Sequence, residues 1–508
     1  MELNITKQTV SINDLSFKQN VEQSVDFSVN IPDYCGSIQR ILKYHLEPRV
    51  CSKSINGQTL TVDGNAHFSV IFIDESNHVS SYDCVSPFSK NIDLGENIDY
   101  YSASVKAKCG YVNAKAITSS RIDVAAVVEL SIKICSKKTT EIISDIDCSE
   151  IFANKGESLA TSPVNCVDKN IIIEDEITIP SDYPSIFSIL RHDSHVEIND
   201  TKIVNNKVIA KGELHIHVLY SAENRKNLLI LDERIPFSQI IDIDGINDGC
   251  EAAVTADIIS VDIKPRSNYD GEIRSIALCA KICLCADAVC NNSIAVIYDA
   301  YSSKYDTVIE TRDTTIEKVL YSVSETFDCQ KKLEFSDGDV ENIIDIWSLV
   351  SFQSVKTEEK HVVWCGNVVV CGICENREGA VNYFERPIDF EYRSEIGEYS
   401  DNIRIEPLAE VMASKYNICN DGTVDIVVTL SFNAKIIETS RISLLTDLSI
   451  KNESSKHQND CSVIIYYAER GEHTWNIAKR FNASPNDIMA VNSVSSIIPE
   501  NMPLVISC

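Results

Sequence analysis

Along most of the chain, Val, Ile and Thr alternate with polar residues over runs bounded by Asp, Asn, Gly and Ser, the period-two pattern of half-buried strands. Residues 125–134 show it plainly: Leu130, Ile132 and Ile134 alternate with Ser131 and Lys133. A glycine followed by an apolar strand recurs three times, beginning at Gly64, Gly212 and Gly366. Upstream of each lies an apolar set: Ile38, Ile41 and Leu42, then Ile186, Ile189 and Leu190, then Ile343, Ile344 and Ile346. Downstream come Phe88, Phe237 and Phe390, and each set closes on a long β-rich run at 122–134, 273–284 and 424–437. These anchors keep one order and stand about 150 residues apart, the size of a domain and not of a solenoid repeat. The pattern predicts three copies of one domain.

Asn56-Gly57, Asp63-Gly64, Asp270-Gly271 and Asp421-Gly422 supply turn chemistry, since Asn and Gly tolerate positive φ. With such turns and little helical pattern, each copy is expected to be an antiparallel β-sandwich, with one short helix near Ile38 or Ile186. The mixed segments 137–165 and 302–315 are expected to pair as strands with a neighbouring copy, giving a semi-rigid string. Residues 451–460 hold no apolar side chain to bury, which is the composition of a flexible linker.

After it the grammar changes. Ile464, Ile465, Tyr466 and Tyr467 form a short strand, and Trp475, Ile477, Ala478 and Phe481 then recur at helical spacing. Ser484, Pro485 and Asp487 start a second helix as N-cap, N1 and N3, with Ile488, Met489 and Val491 on its inner face. Leu504, Val505 and Ile506 form a returning strand. The order is β-α-α-β.

Gly471-Glu472-His473-Thr474-Trp475-Asn476-Ile477-Ala478, followed by Phe481, Asp487, Asn492 and Pro499, resembles the LysM module. That resemblance implies a shallow groove for N-acetylglucosamine polymers, with Gly471, Glu472 and His473 on one lip and Ile497, Ile498 and Pro499 on the other. Asn492 matches the distant Asn of the pattern. His473 replaces the usual Thr, and Glu500-Asn501 replaces the usual Gly-Gln. Three β repeats ahead of one such module also resemble the SPOCS-domain proteins of endospore-forming bacteria. The expected fold class is therefore mainly β, with three tandem β-sandwich-like repeat domains followed by a small βααβ LysM domain. The expected limits are 1–142, 143–301 and 302–450 for the repeats, 451–460 for the linker and 461–508 for the module.

Composition narrows the functions. The 508 residues carry 46 Lys and Arg against 75 Asp and Glu, a net charge of −29. Such a surface repels phosphate backbones and anionic headgroups, which argues against nucleic-acid binding. No apolar run reaches the length of a membrane helix, and the first residues have no signal-peptide pattern, so a cytosolic chain is expected. Its 19 Cys are then expected to be reduced, small apolar residues.

Cys371 and Cys374 invite a metal reading. Counting from the glycines, however, they match Ser69 and His217, and Phe72 and Tyr220, so core cysteines are expected. Cys279, Cys283 and Cys285 share one strand face and are also expected to be buried. His215 and His217 share a face as a half-buried or surface pair. Trp475 is expected in the module core. P-loop, zinc-protease and nucleophile-elbow motifs are absent, and no catalytic residues, metal or cofactor are expected. Two functions remain. The spore-coat resemblance implies a mother-cell scaffold at the forespore surface whose module docks a SpoIVA-like coat ATPase, with other coat proteins as further partners. The alternative is a module that binds peptidoglycan or another N-acetylglucosamine glycan.

Overall fold

The computed structural model describes residues 4–222, 225, 227–336, 340–358, 360–397, 402–419, 423–452 and 463–507. The expected linker at 451–460 lies, from residue 453 on, outside them. The Val-, Ile- and Thr-rich runs all fold as strands, in three successive segments with one order. The first holds β1 (Asn4–Asn30), β2 (Ile38–Asn56), β3 (Thr59–Asp74), β4 (Val79–Asp93), β5 (Tyr100–Thr118) and β6 (Arg121–Asp147). The second holds β7 (Ile151–Thr178), β8 (Ile186–Val204), β9 (Lys207–Ala222), β10 (Leu228–Asp242), β11 (Cys250–Ser267) and β12 (Ile273–Ser302). The third holds β13 (Asp306–Glu334), β14 (Asn342–Glu358), β15 (His361–Glu375), β16 (Val381–Glu395), β17 (Ile403–Ile418) and β18 (Thr423–Asn452). A terminal module follows: β19 (Val463–Ala468), α1 (Thr474–Phe481), α2 (Pro485–Asn492) and β20 (Met502–Ser507).

In every segment the first strand pairs antiparallel with the sixth, the sixth also with the fifth, and the second, third and fourth form a meander. Alternate residues of both groups of strands fill one core. In the first segment Phe68, Val70 and Phe72 of β3 meet Val128, Leu130 and Ile132 of β6. Gly64, Gly212 and Gly366 stand opposite Phe88, Phe237 and Phe390 in the same register. Crowding explains the first two glycines. A Cβ on Gly64 would lie 2.3 Å from the Phe88 ring and 2.6 Å from the Arg49 carbonyl oxygen. On Gly212 it would lie 2.3 Å from the Glu197 carbonyl oxygen and 2.7 Å from the Phe237 ring.

Several expectations change. Ile38 and Ile186 lie in strands β2 and β8, not in helices; the nearby helical element is the single 3-10 turn Asp33–Cys35. Asp63-Gly64 is strand interior, because the glycine there makes room for a ring. Asn56-Gly57 and Asp270-Gly271 do turn, with φ of +62° and +85° at the glycines, while Asp421-Gly422 lies outside the described residues. The long closing strands run well past their expected ends, β6 through the 142/143 limit to Asp147. Segments 137–147 and 151–165 pair within their own sheets, as do 306–315, so they do not cross-pair. Cys250 and Cys290, expected as thiols, face each other across β11 and β12 and form a disulfide.

The three segments also close on one another where a string was expected. Val10 and Ile142 from the first, Ala160 and Val296 from the second, and Ile316 and Leu444 from the third form one buried cluster. At a second junction Ile71, Leu219 and Ile373, equivalent positions of β3, β9 and β15, pack together. Both faces of these three strand ends are thereby buried.

Replacing Gly64 or Gly212 by Ala should cost about 1–3 kcal/mol, the range for overpacking a filled core. Gly397→Ala, where a Cβ meets nothing within 4 Å, should stay within about 0.5 kcal/mol of wild type. Urea melts of the three variants check this.

Candidate functional site

The terminal module folds as its caps dictate. The Ser484 hydroxyl accepts from the Asp487 N–H at 3.3 Å with Pro485 at the first helical position. Ile477, Ala478, Ile488, Leu504 and Ile506 fill its core. The lips expected to form a groove do meet: His473 and Ile497 form an isolated bridge. The Gly471 N–H donates to the Ile498 carbonyl, and the Ile498 N–H to the Glu472 carbonyl, both at 2.9 Å.

The side chains divide differently. Ile498 is 1% exposed and belongs to the core, because alternation at the bridge turns it inward, so it cannot contact a ligand. The Asn492 side chain is engaged within the module. Its amide donates to the Ile488 and Val505 carbonyls at 2.9 and 2.8 Å and accepts from the Val505 N–H at 2.7 Å, clipping α2 to β20. The Glu472 carboxylate accepts from the Tyr466 hydroxyl at 3.0 Å and the Glu469 N–H at 3.0 Å. His473, Ile497 and Pro499 remain exposed around Gly471. A larger apolar face lies on the outer side of the two strands, where alternation exposes Ile465 and Tyr467 at 64% and 76%, with Val505 beside them.

Trp475 has another use. Its indole N–H donates to Asp299 at 2.8 Å, and its ring meets Tyr301 edge-on with centroids 5.0 Å apart. The Lys479 ammonium reaches the same carboxylate at 2.7 Å, and the Tyr301 hydroxyl donates to the Ala483 carbonyl at 2.7 Å. Burial and then the Asp299 charge push the Tyr301 hydroxyl pKa up. The module therefore docks on the end of β12 through the residue expected only in its own core.

Sequence reasoning missed the polar centre of the three-way junction. Lys43, Arg191 and Asp345 occupy equivalent positions, opposite Ile71, Leu219 and Ile373. Arg191 donates to the fully buried Asp345 carboxylate at 2.7 Å and lies 3.7 Å over the Trp347 ring. Lys43 reaches Glu385 of the third segment at 3.0 Å. His217 bridges Asp232 and Asp345, at 2.5 and 3.0 Å. Burial opposes charge on His217, but hydrogen bonds to both carboxylates outweigh it and push its pKa up to about 10. For Asp345, burial is likewise outweighed by His217 and Arg191, and its pKa is lowered. His215, by contrast, stacks near His195 with centroids 5.0 Å apart, and burial holds its pKa below the usual range. Cys371 and Cys374 are buried as expected, and burial raises the Cys371 thiol pKa.

Cys279, Cys283 and Cys285 do not join the core. Leu278, Ala280, Ile282, Leu284 and Ala286 take those places, and the three thiols turn outward to intermediate exposure. There Cys166, Asp168 and Cys285 bring their donor atoms within 4.8 Å of one another. Among the described residues no helix is long and apolar enough to cross a membrane.

Residues 185–266 match the family model SipL, SPOCS domain. No curated protein and no solved structure matches the chain. The matched stretch spans β8 to β11, the meander and fifth strand of the second segment. Residues 185–266 are thus similar to a SPOCS domain, a likeness that points toward a sporulation-related protein.

His217 should stabilise the junction in full below its unfolded pKa of about 6.5, and that stability should fade as pH rises through about 10. Thermal melts of wild type and His217→Gln should differ most at neutral pH and below, by a few degrees. The gap should close by about pH 10.5, above the raised pKa.

Proposed function

We propose that this chain is a non-enzymatic spore morphogenetic scaffold. In this reading its three equivalent segments are sandwich-like SPOCS repeats, within the limits 1–142, 143–301 and 302–450, and its terminal module is LysM-like. It works in the mother-cell cytoplasm at the forespore surface, where the module binds a SpoIVA-like coat ATPase. The match at 185–266 carries the reading. It gains support from the register shared with the first and third segments, whose glycine–phenylalanine pairs recur at equivalent places.

The exposed apolar face of Ile465, Tyr467 and Val505 favours a protein as the module's ligand, since aromatic and aliphatic anchors dominate protein interfaces. Glycan binding loses several of its natural contacts. Trp475 is engaged by Asp299 and Tyr301, Asn492 by β20, and Ile498 by the core. Of the expected lip residues, His473, Ile497 and Pro499 keep exposed side chains.

Tyr467→Asp tests the reading, because its side chain is exposed and the change should leave the fold intact. Loss of one buried aromatic anchor is worth about 2 kcal/mol or more, so capture of the coat ATPase by the full chain should weaken about thirtyfold. Unchanged capture by a folded Tyr467→Asp chain would remove the docking surface from this face. Binding of peptidoglycan fragments by the wild-type chain would favour the glycan alternative.

A further inference from the structure

The thiol–carboxylate group on the second segment has an arrangement that neither packing nor the scaffold reading requires. Asp168 stands directly opposite Cys285 across β7 and β12, and Cys166 opposite Asp287. Cys166 and Cys285 are thus diagonal neighbours on one sheet face, with their Sγ atoms 3.5 Å apart. Two thiolates on a tetrahedral zinc ion, each with a bond of about 2.3 Å, stand about 3.8 Å apart. The observed pair needs only a small adjustment to match that edge.

The repeats supply an internal comparison. At the positions of Cys166, Asp168 and Cys285 the first segment has Lys18, Asn20 and Ser131, and the third has Ser322, Ser324 and Asn433. The fold places polar residues there, so cysteine is not serving as apolar filler. Only the second segment combines two thiols with a carboxylate at these places.

The surroundings suit a divalent cation. The Lys53 ammonium, from the first segment, lies 2.9 Å from the Asp168 carboxylate. A 2+ ion held by two thiolates and one carboxylate has a net charge of −1, which that ammonium cancels. A carboxylate has two oxygens, so one can hold Lys53 while the other binds the ion. Two of the three groups, Cys166 and Asp168, face a cavity of about 1260 Å³, lined from all three segments by residues such as Lys53, Leu349 and Val411. That cavity leaves a fourth coordination position open to water.

We propose that Cys166, Asp168 and Cys285 bind one zinc-class divalent cation, with Lys53 balancing its charge. Binding releases the two thiol protons to solvent and forms two metal–sulfur bonds and one metal–oxygen bond, with no change of oxidation state. The ion ties β7 to β12 and, through Lys53, the first segment to the second.

Cobalt(II) titrated into the full-length chain, held under argon so that Cys166 and Cys285 stay thiols while the Cys250–Cys290 disulfide stays closed, is the probe. One equivalent should give the thiolate-to-cobalt charge-transfer band and the visible bands of tetrahedral cobalt, and zinc should bleach both. Cys166→Ser/Cys285→Ser should abolish the bands, while Cys279→Ser, on the same strand, should keep them. Asp168→Asn should keep a thiolate band but weaken binding by about tenfold or more, at least the cost of losing an outer partner. Absence of the band in the wild-type chain, or its survival in the folded double variant, overturns the proposal. If the double variant does not fold, unchanged cobalt affinity in Asp168→Asn overturns it instead.

Discussion

Burial of both faces of three strand ends is the constraint on which the rest of this structure depends. A strand in an antiparallel sheet packed on one face normally buries alternate residues and leaves the others to water. The later halves of β3, β9 and β15 do not: Ile71, Leu219 and Ile373 turn away from their own cores and meet at the centre of the molecule. Each of these side chains buries apolar area worth roughly 1.5–3 kcal/mol, and none can do so unless the other two segments are present. A second contact among Val10, Ile142, Val296 and Leu444 joins the far parts of the long ladders. The segments are held as a closed triangle by surfaces that no single one can bury alone.

Hydrophobic contact is non-directional, so it does not by itself decide which segment takes which place. The polar groups around it do. At one equivalent position stand Lys43, Arg191 and Asp345, two cations and one anion, and each finds a different partner. A buried carboxylate left without His217 and Arg191 would be costly, so the third segment fits only beside the second. Divergence at this position gives three similar segments a fixed order. The terminal module extends the same logic. Asp299 and Tyr301 hold Trp475 and Lys479, which anchors the module to the body while its outer sheet face stays exposed.

Much of this was legible in the sequence because strand periodicity and glycine spacing are local signals. The glycine–phenylalanine pairs report a crowded register, and the Ser484-Pro485-Asp487 cap marks α2 in four residues. The closure of the triangle was not legible, since alternation along one strand cannot say what covers its outer face. One clue was present: Asp345 interrupts the apolar run of Ile343, Ile344 and Ile346, where the other copies have Lys43 and Arg191. Ile498 and Asn492 misled because a groove pattern names positions and not the direction of side chains. Cys285 misled because shared parity identifies a face without saying which side is the core.

The closed arrangement is tested most directly by a double-mutant cycle between Arg191 and Asp345, 154 residues apart in sequence and 2.7 Å apart in the fold. Unfolding free energies of wild type, Arg191→Ala, Asp345→Ala and the double variant give the coupling between the second and third segments. A charged hydrogen bond at this buried place should yield about 1.5–3 kcal/mol of favourable coupling. Additive single effects, with coupling near zero, would mean that the two segments do not meet there and that the chain is a string.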